Sequence, residues 1–159
     1  MTDEEINEIL TKANSFTVFS DFLKISNHLK GRKYWEVLSS VYSRADNLYQ
    51  FRHILKSVFF SNEPGREFLM SEEDRGIFNN LPDSITIYRG MTEREFRSKS
   101  FGISWTIKKE VAEFFAYQYE RNYATEKLKK TIHQLTVNKS DLIAYFHDRS
   151  EFEIIYIPS

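Results

Sequence analysis

The 159-residue chain contains no cysteine, which excludes disulfide bonds and thiolate metal sites. Glycine and proline are also scarce, with 5 and 3 residues, and the glycines are scattered singly, so there is no glycine-rich phosphate loop. No stretch approaches the roughly 18 apolar residues that a membrane-spanning helix needs. Residues 1–5 are acidic where a signal peptide would be basic. We therefore expect a cytoplasmic protein without a membrane partner.

Neither sign of charge dominates the chain, which carries 22 basic and 23 acidic residues and a net charge of −1. The first 80 residues have 10 basic and 12 acidic side chains, and the remainder have 12 and 11. A domain that binds duplex nucleic acid usually carries a basic block or stripe. We therefore expect no strong nucleic-acid binding.

The sequence also lacks the spacing of a histidine metal site. Its four histidines have neither the i,i+4 spacing nor the helical glutamate of zinc enzymes, so we expect no metal. A Ser-His-Asp triad stays open on composition, because triads assemble in space, but no Gly-x-Ser-x-Gly motif supports one.

What the chain does have is aromatic residues, which make up 16% of it. Up to about residue 80 the apolar residues recur at helical spacing and predict five helices packed through an aromatic core. Thr2 and Glu5 form a capping box for the first helix, Gly31 closes the second, and Ser71 caps the fifth. A turn is predicted at residues 62–65.

After Pro82 the pattern changes: residues 84–88 alternate polar and apolar, which is typical of a strand. Residues 101–106 predict a second strand, and the stretches 131–137, 142–146 and 153–157, rich in Ile, Leu, Val and Tyr, predict three more. Thr106 is expected to cap a helix whose apolar face includes Phe114 and Phe115. A helical half followed by a mainly β half indicates an α+β fold.

Three short motifs follow one another in the second half: Arg89-Gly90 at the end of a strand, Ser104-Trp105-Thr106 before a helix, and Glu151-Phe152-Glu153 opening the last strand. Each has an ordinary structural explanation, as a salt-bridged arginine, a helix cap and a solvent-facing strand. In this order and spacing they resemble the Arg/Ser/Glu class of mono-ADP-ribosyltransferases, over residues 84–159. The family's Ser-Thr-Ser motif is altered here, because its second and third positions are Trp and Thr.

The resemblance implies a single domain, 1–159, with a helical part (1–80) packed on a mixed β-sandwich-like ADP-ribosyltransferase core (81–159) that binds NAD as co-substrate. It further implies that Arg89, Ser104 and Glu153 converge on one cleft, so side chains on different faces would contradict it. Glu153 would stabilise the positive charge that develops on the ribose, and Ser104 would hydrogen-bond Glu153. Glu151, on the same strand face, would orient an acceptor arginine.

The remaining implied roles concern NAD and the target protein. Arg89 would bind the NAD phosphates, the Gly90 backbone would hold the nicotinamide amide, and Ser104 and Thr106 would line the NAD site. Phe114 or Phe115 would stack on the nicotinamide. The loop residues His147, Asp148 and Arg149 would face the target protein.

The function implied is transfer of ADP-ribose from NAD to a protein side chain, arginine by the resemblance, with release of nicotinamide. The protein would be a phage or bacterial effector against a host or defence protein, acting in the host cytoplasm if phage-encoded. Two alternatives stay open from the sequence. One is an NAD glycohydrolase, with water as the acceptor. The other is a catalytically silent domain of the same fold that binds and inhibits a partner protein.

Overall fold

A computed structural model of the chain describes residues 1–46, 48–118, 129–147 and 150–158. The chain divides into two compact units, Met1–Glu72 and Glu73–Ser159. The boundary lies eight residues before the end of the predicted helical part (1–80).

The first unit is helical in the residues that the structure describes. Its α-helices are α1 (Asp3–Lys12), α2 (Val18–Ile25), α3 (Gly31–Arg44) and α4 (Arg52–Phe59). Short 3-10 turns follow or precede them at Ser26–His28, Leu48–Phe51 and Arg66–Leu69.

The capping box of α1 is confirmed, because Thr2 Oγ1 accepts from the Glu5 amide at 3.1 Å and Glu5 Oε2 accepts from the Thr2 amide at 2.7 Å. The prediction that Gly31 closes the second helix was wrong. α2 ends at Ile25, and Gly31 begins α3 with φ of 57°. Its amide donates to Glu63 Oε2 at 2.8 Å, so the glycine serves a helix start.

Large aromatic side chains fill the core of this unit, as predicted. Trp35, Phe19, Phe22 and Phe59 are fully buried. The polar end of Trp35 is satisfied, since its Nε1–H donates to the Glu63 carbonyl at 2.9 Å.

The second unit contains every strand that the structure describes and three α-helices. The helices are α5 (Glu72–Asn79, which starts at the unit boundary), α6 (Glu93–Ser98) and α7 (Lys109–Glu113), the last continued by a π-helical turn, Phe114–Gln118. The strands are β1 (Ser84–Thr92), β2 (Ser104–Thr106), β3 (Lys130–Asn138), β4 (Leu142–Phe146) and β5 (Glu153–Tyr156).

These strands form one five-stranded sheet in the order β3-β1-β2-β5-β4. All four pairings in it are antiparallel. The α+β class is therefore confirmed. Within the described residues, the expected mixed β sandwich is corrected to a single antiparallel sheet.

Two local details also differ from the sequence prediction. Helix α6 was not predicted; Thr92 caps it by accepting from the Glu95 amide at 3.1 Å. Thr106 does not cap α7, whose N-cap is Lys108, although Thr106 Oγ1 accepts from the Lys108 amide at 3.2 Å. Among the described residues, no helix is both long and apolar enough to cross a membrane.

Candidate active site

A hydroxyl and a carboxylate meet on one face of the sheet, across β2 and β5. Thr106 pairs with Tyr88 of β1 and with Glu153 of β5, so alternation puts Ser104, Thr106 and Glu153 on one side, here called the Glu153 face. Ser104 Oγ donates to Glu153 Oε2 at 2.5 Å, although 49 residues separate the two. The predicted Ser104–Glu153 contact is confirmed.

Glu151 does not share the strand with Glu153. Strand β5 begins at Glu153, and Phe152 adopts φ of 49°, in the left-handed region that non-glycine residues rarely occupy. Ser150 also has positive φ, at 55°. The prediction of two glutamates on one strand face was therefore wrong: Glu151 lies in a tight turn before the strand.

The Thr106 hydroxyl holds this turn. Its proton goes to the carbonyl of Glu151 at 2.8 Å and, at 3.2 Å, to that of Phe152. The Ile107 amide donates to the Phe152 carbonyl at 3.3 Å. Because Thr106 is 5% exposed and its hydroxyl is engaged, the structure gives it a positioning contact in place of the predicted contact with NAD.

Arg89 forms a largely buried ion pair with Glu95, a partner that the sequence analysis did not name. Its Nε and Nη2 donate to the two carboxylate oxygens of Glu95, at 2.7 and 3.1 Å. Its Nη1 donates to the Ser104 carbonyl at 2.9 Å. The side chains of Arg89 and Glu95 are 18% and 8% exposed. The two-donor edge predicted for phosphate is thus occupied by Glu95.

The Arg89 side chain comes from the opposite face of the sheet. Arg89 pairs with His133 of β3, and both lie on the side of Trp105, here called the Arg89 face. The expectation that all three side chains converge on one cleft is therefore wrong: Ser104 and Glu153 lie on one face and Arg89 on the other, which is the arrangement that contradicts the resemblance. The guanidinium reaches their strand only through the Ser104 backbone carbonyl.

Aromatic rings surround His133 on the Arg89 face. The rings of Phe96 and Phe101 lie 5.1 Å from the imidazole, and that of Trp105 lies 6.0 Å away. Burial, and to a smaller extent the charge of Lys99, lowers the pKa of His133 below its ordinary value. This histidine is therefore a neutral packing residue.

Gly90 lies under α7 and the π-helical turn. A Cβ there would lie 2.5 Å from the Ala112 carbonyl oxygen and 2.9 Å from the Ala116 Cβ, so only glycine fits. The helix covers Gly90 on the Glu153 face. The backbone of Gly90, which was expected to be uncovered, is therefore uncovered only along the edge of the strand.

That edge points toward β2. Just beyond the ends of the β1–β3 ladder, the Glu93 amide bonds the Lys129 carbonyl and the Lys139 amide bonds the Asp83 carbonyl. The odd-numbered residues of β1 thus bond β3, and the amide and carbonyl of even-numbered Gly90 face β2. The β1–β2 ladder consists of one pair, Tyr88–Thr106. The Gly90 edge, the Ser104 carbonyl and the Arg89 guanidinium therefore border the stretch in which β1 and β2 are not paired, here called the β1–β2 gap.

The two phenylalanines predicted to stack on nicotinamide differ in exposure. Phe114 is 45% exposed, and Phe115 is partly buried beside it with ring centres 5.7 Å apart. Since Ala112 and Ala116 form the sheet-facing side of this segment, Phe114 is a poor candidate for a ring inside the gap. The assignment of Phe115 stays a prediction.

His147 directly follows β4 and is exposed. Its Nδ1 lies 2.8 Å from the Tyr145 hydroxyl, and its ring packs edge-on to Phe152 with centres 5.1 Å apart. Asp148 and Arg149, the other residues predicted to recognise a target, lie outside the described residues.

Sequence reasoning missed Glu95, Tyr145 and the structural role of Thr106. A weak signal for Glu95 was present: Thr92 followed three residues later by glutamate is a helix-start pattern. No sequence pattern indicated a role for Tyr145, because its hydrogen-bond partner, His147, is placed by the way in which β4 ends.

Comparisons with family models, curated proteins and solved structures found no match for this chain. In the described part of the chain, no cluster of three or more His, Asp or Glu residues is arranged to hold a metal ion.

Proposed function

We propose that this protein is a mono-ADP-ribosyltransferase that moves ADP-ribose from NAD to a protein side chain, arginine, and releases nicotinamide. The observation that carries the proposal is the 2.5 Å hydrogen bond from Ser104 to Glu153. It unites the second and third motifs of the resemblance on the Glu153 face, beside Gly90 of β1. Arg89, the first motif, comes from the other face and contradicts the three-motif site that the resemblance implies, so the proposal rests on the second and third motifs alone.

The carboxylate suits the chemistry at the ribose. The bond between ribose C1′ and the nicotinamide nitrogen breaks, and its electron pair leaves with nicotinamide. Positive charge then develops at C1′ and the ring oxygen, as in glycoside hydrolysis. Glu153 stabilises that charge, and the Ser104 hydroxyl fixes the orientation of the carboxylate.

Glu151 is assigned to the acceptor. Its carboxylate pairs with the incoming arginine and receives the proton lost when a guanidinium nitrogen bonds to C1′. The Thr106 hydroxyl fixes the turn that carries Glu151 by donating to the carbonyls of Glu151 and Phe152. Glu151 is therefore positioned by these bonds to the backbone of the turn and not by strand pairing.

The fit of NAD differs between its two ends. At the nicotinamide end, the Gly90 edge offers an amide and a carbonyl toward the β1–β2 gap, which suits a carboxamide group. At the phosphate end, Arg89 does not fit its expected role, because Glu95 occupies its two-donor edge. We therefore assign Arg89 to holding β1 and β2 in place, and assign no residue to the phosphates.

The test compares two glutamate variants with labelled NAD and a guanidinium-bearing acceptor protein. Glu153→Gln removes the charge that faces the ribose, so both protein labelling and nicotinamide release should fall by about 10²–10³-fold. Glu151→Gln should reduce labelling and leave slow nicotinamide release. The exposed Glu113, on α7, gives a matched control, since Glu113→Gln should keep both activities.

Each outcome distinguishes a different function. Nicotinamide release without labelling in the wild-type protein would indicate an NAD glycohydrolase. Absence of both activities, with NAD binding also absent by calorimetry, would favour the partner-binding alternative. Undiminished activity in Glu153→Gln would remove the mechanism.

A further inference from the structure

The turn at Ser150–Phe152 has two left-handed residues, neither of which is glycine. Such a backbone conformation persists only where surrounding contacts impose it. Thr106 and Ile107 bind its carbonyls from β2 and the residue after it. Those contacts fix the backbone on one side, and the Phe152 ring itself contacts Lys108, whose Nζ lies 5.4 Å from the ring centre, and His147.

The Phe152 ring packs against His147, and His147 is in turn hydrogen-bonded to Tyr145. The His147 and Phe152 rings meet at 87°, with centres 5.1 Å apart. The Tyr145 hydroxyl lies 2.8 Å from His147 Nδ1. Tyr145 is 1% exposed in β4, so the series of contacts runs from the core to the turn.

We propose that Tyr145 and His147 are positioning residues that fix the Ser150–Phe152 turn and thereby orient Glu151. Tyr145 sets the orientation of the imidazole, and the imidazole sets the position of the Phe152 ring. Phe152 lies between the two glutamates in sequence, so its position governs where the Glu151 carboxylate points. The consequence for catalysis rests on the proposed function; the structural link does not.

The surroundings of Tyr145 suit a permanent hydroxyl anchor. Burial, followed by the charges of Asp74 and Glu73, raises the pKa of its phenol. The group therefore stays protonated at neutral pH and keeps the hydrogen bond to His147. A buried aromatic ring has little freedom, so it holds the exposed imidazole at little entropic cost.

Amide hydrogen exchange tests the structural link without any assay of activity. The reporter is the Ile107 amide, which donates to the Phe152 carbonyl. Tyr145→Phe and His147→Phe both keep a ring and remove the hydrogen bond. Each should speed Ile107 exchange about fivefold, as for loss of one ordinary hydrogen bond. The double variant should not exceed the larger single effect, because both changes break the same link.

Controls separate this link from general loosening of the unit. Ile87 is fully buried in β1, and its exchange should stay unchanged in every variant. Tyr156→Phe removes a hydroxyl from another strand of the same sheet and should leave Ile107 unaffected. Unchanged Ile107 exchange in both single variants, or an equal increase in Tyr156→Phe, would overturn the proposal. If Tyr145→Phe also speeds the exchange of the Ile87 amide, the unit has loosened generally, and the result for the surface variant His147→Phe then decides whether the proposal stands.

The activity arm measures kcat and KM for NAD in the same variants. Transfer to arginine should fall several-fold in kcat, while KM for NAD stays within about twofold, because Glu151 is assigned to the acceptor. A wild-type protein without transferase activity would refute the proposed function and leave the exchange result standing. Accelerated exchange with undiminished transfer would refute the assigned orientation of Glu151.

Discussion

At the scale of the residue, the Arg89–Glu95 ion pair holds β1 and β2 in place. A guanidinium with three of its N–H groups engaged lies against Glu95 and the Ser104 carbonyl. The Glu95 carboxylate accepts three hydrogen bonds in all, since Oε2 also accepts from the Gly102 amide at 3.1 Å. A buried charge pair of this kind is costly to break from either side, because the remaining charge is left without a partner.

Arg89→Lys should therefore destabilise the protein. Lysine is a point charge and cannot bind two carboxylate oxygens and a carbonyl in one plane. We expect the free energy of unfolding to fall by about 1–3 kcal/mol in urea titrations. Arg94→Lys, at an exposed position of α6, should stay within about 0.5 kcal/mol of the wild type. Equal stability of Arg89→Lys and wild type would mean that the ion pair does not hold the strands.

His133 gives the second residue-scale prediction, a loss of stability in acid. The pKa of His133 is lower in the folded protein than in the unfolded chain, so the unfolded chain binds the proton first as pH falls. The stabilisation is complete above the unfolded pKa of about 6.5 and is lost as pH falls toward the folded value. His133→Phe should remove this part of the pH dependence. Urea titrations at about pH 7.5 and 5.5 compare the two proteins; parallel losses would contradict the assignment.

At the scale of the element, Gly90 sets the distance between β1 and the helix above it. Gly90→Ala would force a methyl group into the Ala112 carbonyl and the Ala116 side chain. We expect a loss of about 1–3 kcal/mol in the free energy of unfolding, as for other overpacked sites. The matched control is Gly76→Ala in α5, where a Cβ meets no atom within 4 Å. That change should stabilise by about 0.5–1 kcal/mol, because alanine favours a helix interior. Thermal denaturation monitored by circular dichroism measures both, and a tolerated Gly90→Ala would show that the helix shifts freely.

The elements themselves were largely predictable, since caps and periodicity are local signals. α1 follows from its capping box and β1 from alternation, while β4 follows from a short run of apolar residues. α6 was missed because six residues with one aromatic, Phe96, give no period to read. Glu151 was misplaced because Glu-x-Glu before an apolar run is typical of an extended strand. Nothing local indicated that Phe152 would adopt positive φ; contacts with Thr106 and Ile107 impose it.

The part of the candidate site that depends on the order of the motifs was predictable. The part that depends on which group binds the Arg89 side chain was not. Motif order brought Ser104 and Glu153 together correctly. Arg89 was expected to meet an external phosphate, but Glu95, six residues later and across a strand-to-helix turn, satisfies it internally. Sequence alone cannot rank an internal carboxylate against an external anion, because the ranking depends on burial.

At the scale of the whole molecule, the even distribution of charge predicts little attraction to nucleic acid. With a net charge of −1 and neither half basic, the chain should bind duplex DNA with a Kd weaker than about 10⁻⁴ M at physiological salt. Fluorescence anisotropy of a labelled duplex measures this directly. Micromolar binding that weakens steeply with added salt would reveal a local basic patch that the charge totals conceal.

The lone Tyr88–Thr106 pair also has a mechanical consequence. One ribbon of the sheet, β3 with β1, is joined through nine residue pairs, and β5 ties β2 to β4 in the other. Backbone pairing therefore resists stretching more within each ribbon than across the seam, where Arg89 Nη1 adds one bond to the Ser104 carbonyl. Elastic strain should concentrate at that seam, so a small rotation about Tyr88 and Thr106 would load the Arg89 bond before it breaks either ladder. The sheet is thus built to yield along one line, next to the residues assigned to the reaction.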